Sequence, residues 1–232
     1  MSKKLLLITI LVFVVLLLIM TLPLKSKSTQ ESKSMDIIKL PEPKYDSKVS
    51  IERALLERRS IRTYKDEPLK LSEVSQLLWA AQGITGSRGF RTAPSAGALY
   101  PLEVYVVVGS VKDLADGVYK YKHSGHELVK ISNGDKRVEL YTAALRQGCI
   151  KNGAVVFVLS AVYERTTGKY GQRGIQYVHM EIGHAAQNVY LQAASLNLGT
   201  VFVGAFYDDQ VKAVLNMPDR EVPLCIMPVG RK

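Results

Sequence analysis

Cysteine is scarce: Cys149 and Cys225 are the only two in 232 residues. That excludes a disulfide framework, and neither residue has a partner at a zinc-ligand spacing. Cys225 lies in Leu224-Cys225-Ile226-Met227, which reads as buried strand, where a thiol behaves as a small hydrophobe. Metal motifs are missing as well. His179 and His184 stand five positions apart, about 140° round a helix, so they do not share one metal in the manner of a zinc protease, and no metal site is expected. The glycines of 168–174 match neither the dinucleotide-binding nor the phosphate-loop spacing, and Gly86-Ser87-Arg88-Gly89 reads as a flexible loop. There is no Ser-His-Asp arrangement and no internal repeat. Basic residues are not interleaved with aromatics, so the net charge of +10 does not indicate nucleic acid. It suits an anionic cofactor or an anionic membrane surface.

What is present begins with an apolar run. Lys3-Lys4 precede residues 5–20, interrupted only by Thr9, and Leu22 and Leu24 extend the run to about 20 residues, the length that crosses a hydrocarbon core. It reads as a signal anchor or a secretory signal. The lack of a small-residue cleavage site, and of any cysteine among the first 48 residues, favours an uncleaved anchor over residues 1–24. The protein is then membrane-anchored by one N-terminal helix, or exported if the segment is cut. Lys25, Lys27 and Lys33 leave the orientation open. Residues 25–48 are rich in Lys, Ser and Pro and read as a flexible linker, leaving a single domain over 49–232.

Within that domain, Ser50 reads as the N-cap of a helix over 51–58, and Pro68 precedes a second helix over 72–81. Residues 103–109 form an apolar, β-branched central strand, 117–122 and 126–131 a hairpin, and 154–162 another buried strand. Apolar periodicity predicts one long helix over about 170–198, stopped by Gly199. A strand over 199–206, a short helix over 208–215 and a last strand over 222–229 follow. Strands and helices alternate irregularly, which favours an α+β fold over a doubly wound sheet.

Two segments carry chemistry. Arg58, Arg59 and Arg62 flank Ser60 at the end of the first helix. Guanidinium groups bind phosphate through paired hydrogen bonds, so the cluster is either a phosphate clamp or a solvated basic surface. Residues 93–101, Ala-Pro-Ser-Ala-Gly-Ala-Leu-Tyr-Pro, form a small-residue loop leading into the central strand, and a glycine there lets backbone amides approach a flat ligand.

These segments, with 198–206 and the closing Pro228-Val229-Gly230-Arg231, stand in the order found in the nitroreductase superfamily, which the chain resembles from about Ser50 onward. Ser95 to Pro101, Lys169-Tyr170-Gly171-Gln172-Arg173 and Gly183-His184-Ala185-Ala186-Gln187-Asn188 resemble the SagB-type, or thiazoline/oxazoline oxidase-type, dehydrogenases. The resemblance implies a sandwich with a central, mostly antiparallel sheet, flanking helices and a long central helix, assembled as a homodimer. It implies FMN as cofactor, with NAD(P)H as a possible electron donor. Arg58, Arg59, Ser60, Arg62 and Arg231 would bind the phosphate and ribityl chain. Pro94, Ser95, Ala96, Gly97 and Leu99 would approach the ring from the second subunit, and Thr200, Val203, Gly204 and Ala205 would cover it. Lys169 and Tyr170 would be the acid/base pair that takes a proton as hydride leaves a small-molecule or peptide-derived substrate. The residues alone also allow a solvated Lys169 at a helix start with Tyr170 packed beneath it. An NAD(P)H-dependent nitro or quinone reductase, or a non-catalytic flavin-binding module, are the alternative functions.

Overall fold

Ser50 opens the first helix, α1 (Ile51–Glu57), by accepting a hydrogen bond from the Arg53 backbone N–H at 3.2 Å. The computed structural model describes residues 36–232. The elements that follow are β2 (Leu69–Lys70), α2 (Leu71–Gln82), β3 (Leu102–Val108), β4 (Val111–Lys112), β5 (Gly117–Lys122), β6 (Glu127–Asn133), α3 (Arg137–Ala143) and α4 (Gly148–Asn152). After them come β7 (Val155–Ala161), α5 (Glu164–Tyr170), α6 (Arg173–Ser195), β8 (Leu198–Thr200), α7 (Asp208–Leu215) and β9 (Val222–Arg231). A strand before α1, β1 (Ile37–Lys39), completes a seven-stranded sheet in the order β1-β6-β5-β3-β7-β9-β8. Every pairing in it is antiparallel.

After Glu103, the run Val104–Val108 is buried throughout because both faces of β3 are covered. Val104, Val106 and Val108 pack with Val74 and Leu77 of α2 and with Val178, Ile182, Ala185 and Val189 of α6. Tyr105 and Val107 pack on the opposite face with Leu140 of α3, Ile150 of α4 and Val211 and Leu215 of α7. The fold is therefore the expected α+β sandwich. The two cysteines are divided between these layers, Cys225 in one cluster and Cys149 in the other, so they do not face each other.

Four expectations are corrected. The linker over 25–48 does not reach residue 48: β1 pairs with Glu127–Val129, Leu40 is buried, and Gln76 bonds both the N–H and the carbonyl of Lys44. The long helix expected over 170–198 is α6, but it begins only at Arg173, because Gly171 adopts φ +55° and ψ −144°, a conformation open to glycine that ends α5 at Tyr170. The strand over 199–206 ends at Thr200. The Thr200 carbonyl is taken by the Ile61 N–H, and the Phe202 N–H by the Tyr190 hydroxyl, so the chain touches β9 again only at the Val203–Ile226 bridge. Finally, the membrane-anchored or exported location is withdrawn. Among the described residues no helix is long and apolar enough to cross a membrane, and the apolar segment over 1–24 lies outside the described residues.

Two buried carboxyl groups are held differently. Glu221 is 1% exposed and lies against Lys120 Nζ at 2.5 Å, while the Tyr105 hydroxyl donates to it at 2.8 Å. Glu181, on α6, is 2% exposed, and its Oε1 has no hydrogen-bond partner. Burial pushes its carboxyl up to about 7, against the opposing pull of Ser95 and Arg91.

These differences give two predictions. Lys120→Met strands the Glu221 charge and lowers unfolding free energy by about 3 kcal/mol, measured by urea denaturation at neutral pH. For Glu181, the native state retains a proton that the unfolded chain has lost. Its contribution to stability is therefore full below about pH 4.5 and is lost as pH rises to about 7. Denaturation of the wild type and Glu181→Gln across that window should show the wild type losing on the order of 3 kcal/mol relative to the variant. Parallel curves would refute the neutral carboxyl.

Candidate functional site

Helix α6 carries two separate groups of polar side chains. The first surrounds the turn formed by residues 95–100. Ser95 Oγ accepts the Tyr100 N–H at 2.9 Å, closing the turn. Gly97 sits at φ +63°, and a Cβ there would come within 2.8 Å of the Tyr170 hydroxyl and 3.2 Å of Lys169 Nζ. The structure thus brings the small-residue loop and the Lys169-Tyr170 pair together within one chain. Lys169 Nζ lies 5.4 Å from the centre of the Tyr170 ring, and Tyr170 meets Tyr177 edge-on. Pro94 and Gly97 are exposed, and Ser95, Ala96 and Leu99 are half-buried.

Cations brace this turn from behind. Arg165 donates to the Tyr100 carbonyl at 3.0 Å and to Glu103, and Arg91 lies over the Tyr100 ring at 4.5 Å. Arg91 also donates to Gln82 Oε1 at 2.7 Å and to His123 Nε2 at 2.9 Å. Burial works against the ionised Glu103, yet Lys120 and Arg165 outweigh it and hold its carboxyl below the usual range. Burial and the Arg91 charge keep the His123 imidazole below its ordinary value. Arg91, Arg165, Glu181 and His123 are absent from the residues the sequence singles out. Their types carry no motif, and only the sheet and α6 bring them to one place.

The second group lies nine residues further along α6, roughly 14 Å along its axis at the helical rise. Tyr190 is its centre. Its hydroxyl accepts the Phe202 N–H at 2.7 Å and lies 3.1 Å from Ser60 Oγ, and Arg58 stacks over its ring at 5.3 Å. Ser60 bridges Thr200, whose buried Oγ1 has no hydrogen-bond partner. Arg62 is exposed, and among the described residues neither Arg58 nor Arg62 forms a salt bridge.

Other residues of the sequence-derived site stand elsewhere. Arg59 folds back to donate to the Leu56 and Arg58 carbonyls, so its guanidinium caps α1. Arg231 is gripped by both oxygens of Glu73, at 2.7 and 2.8 Å. Val203 is part of the core, while Gly204 and Ala205 are exposed and the Ala205 carbonyl accepts from Gln147.

The sequence pattern of the Nitroreductase family matches residues 55–231. The chain is 52% identical over 184 residues to a protein of Methanocaldococcus jannaschii named as a nitroreductase, spanning 79% of this chain and 92% of that one. It is 26% identical to a trifolitoxin operon protein of Rhizobium leguminosarum, covering 90% of this chain and 62% of the relative. A crystal structure named as a nitroreductase from Anabaena variabilis superposes with a TM-score of 0.75 at 31% identity, covering 85% of this chain but only 42% of the other. With this sequence pattern and this antiparallel sandwich, the chain belongs to the nitroreductase family and is an oxidoreductase.

Proposed function

We propose that the protein is an FMN-dependent oxidoreductase of SagB type, acting on a small organic or peptide-derived substrate. The observation that carries this reading is the contact of Gly97 with Lys169 and Tyr170, which joins a backbone cradle to a possible proton acceptor. The likeness to a trifolitoxin operon protein supports it. The residues fit the cofactor on three counts. The glycine cradle is one that a Cβ would fill, Arg58 and Arg62 offer guanidinium groups to a phosphate, and the Thr200 hydroxyl lacks a partner.

Arg58, Ser60 and Arg62 would hold the phosphate and ribityl chain, with Thr200 and Gly204 beside them. Pro94, Ser95, Ala96, Gly97 and Leu99 would line the ring. The two groups lie at separate levels of α6, which favours a homodimer in which each site takes its turn from one protomer and its arginines from the other. Arg59, Val203, Ala205 and Arg231 have lesser parts, since their side chains or backbones serve the fold. The domain proposed to do this spans 49–232, with residues 36–48 packed onto it.

When bound, FMN supplies the two-electron acceptor, taking hydride at N5. Lys169 as its neutral amine, or Tyr170 as its phenolate, would take the proton that the substrate gives up at the same time. What supports this role is Gly97, whose missing side chain leaves room for both polar atoms beside the turn. The half-buried edge contact of Tyr170 with Tyr177 fixes its ring, and the exposed ammonium of Lys169 is free to exchange protons with solvent after each turnover.

A second reading, an NAD(P)H-dependent reductase of nitro compounds or quinones, is favoured by the name of the Methanocaldococcus relative. In it Lys169 and Tyr170 take no proton from carbon.

Three measurements test the proposal. Purified protein should be yellow and release FMN on denaturation, close to one per subunit; failure to take up added FMN would remove the flavin reading. Gly97→Val, which drives a branched side chain into Tyr170 at a positive φ, should weaken FMN binding about tenfold or more by fluorescence titration. Combined Lys169→Ala and Tyr170→Phe replacement should lower turnover about a hundredfold or more with FMN retained. Unchanged turnover would favour the reductase.

A further inference from the structure

The two helices that meet at Gly171 each hold one cation against one tyrosine. Lys169 Nζ stands 5.4 Å from the centre of the Tyr170 ring, and the Arg173 guanidinium 5.6 Å from that of Tyr177. The rings themselves meet edge-on, their centres 5.1 Å apart and their planes at 85°. Both cations are exposed and both tyrosines half-buried. Among the described residues, neither cation forms a salt bridge or a hydrogen bond. Since Tyr170 also borders Gly97, Arg173 is one aromatic ring removed from the Lys169-Tyr170 pair.

A ring face orients a cation without neutralising it and leaves the N–H edge of a guanidinium open. Lys120, Arg165 and Arg231, by contrast, are each matched by a carboxylate. Helix stability does not account for Arg173 either. Lys169 sits in the last turn of α5, where a cation is favourable, but Arg173 is the first residue of α6, whose first turn holds no acid. The start of a helix favours anions, so the arginine stands against the dipole there. An exposed cation held in place, unneutralised and set against the local electrostatics is a residue that the fold alone does not call for.

We propose that Arg173 is a substrate-binding residue: its guanidinium takes the carboxylate or phosphate of a substrate whose reacting carbon lies at Lys169 and Tyr170, so that the substrate is an anion. The planar fork donates two parallel hydrogen bonds to such a group. Lys169 does not serve in its place, because a lysine that accepts a proton is neutral when substrate binds, whereas a guanidinium keeps its charge. The inference rests on the reading of Lys169 and Tyr170 as the reaction site. Its anion has two sources, a carboxylate on the compound oxidised or a phosphate of a nicotinamide nucleotide.

Calorimetric titration of the full chain with benzoate, with benzamide as its neutral counterpart, and with phenyl phosphate tests this, both with and without added FMN. At least one anion should bind about tenfold or more tightly than benzamide; Arg173→Ala should abolish that preference and Arg173→Lys, which lacks the fork, restore only part of it. Tighter benzoate assigns the group to the compound oxidised, and tighter phenyl phosphate to the nucleotide. Equal binding of all three probes, or a preference that survives Arg173→Ala and disappears in Arg58→Ala, overturns the role. Anion binding that depends on Arg173 in a chain that takes up no FMN keeps this site and removes the flavin reading, and FMN uptake without it does the reverse.

Discussion

The stripe formed by Val178, Ile182, Ala185, Val189 and Ala193 packs α6 onto one face of the sheet, and the placement of each polar group follows from that contact. A helix pinned along one side has no freedom to rotate. Residues at the margin of the stripe are therefore carried to set positions, Glu181 to a buried site and Tyr190 to the Ser60–Thr200 bridge. The alanines matter as much as the larger residues, because short side chains bring the helix close enough for its polar neighbours to reach loops fixed by the strands. The opposite layer, with α3, α4 and α7, packs on the other face of the sheet and contributes no group to the first cluster.

The distribution of charge follows a related logic. The chain carries a net +10, yet several of its half-buried cations are matched by carboxylates. Lys120 and Arg165 share Glu103, Lys120 also meets Glu221, and Arg231 is matched by Glu73. Arg58 and Arg62, which form no salt bridge among the described residues, lie where the chain leaves α1 and crosses the end of β8.

Much of the architecture was legible because its signals are local and strong. Ser50 caps the helix expected of it, and the apolar runs at 102–108 and 155–161 are central strands. Misreadings arose where a distant partner decided the outcome. Ile37–Lys39 is too short to announce a strand and becomes one only by meeting Glu127–Val129. The 199–206 strand was broken by Tyr190 and Ile61 capturing its backbone groups. Periodicity ran through residues 170–172 because Gly171 interrupts the helix without interrupting the apolar pattern. Helices α3 and α4, seven and five residues long, were missed because they are too short to show an apolar period. In the candidate site, the motif residues Gly97, Lys169 and Tyr170 were found together, while Arg231 and Arg59 were assigned to the ligand on the family resemblance, and the structure gives their guanidiniums to Glu73 and to the Leu56 and Arg58 carbonyls. Glu181 could not have been read from the sequence, since a glutamate in an amphipathic helix ordinarily faces water.

The outermost position of β1 has a consequence for how the chain is made. Residues 37–39 emerge from the ribosome long before Glu127–Val129, their partners roughly ninety positions later. For that interval the growing polypeptide carries an apolar segment with unused backbone hydrogen bonds, and one border of the nascent sheet stays open. The sheet gains its last strand on that side only when the earliest of its strands to be synthesised meets β6, a long-range pairing of the kind that slows folding and leaves a window for misassociation.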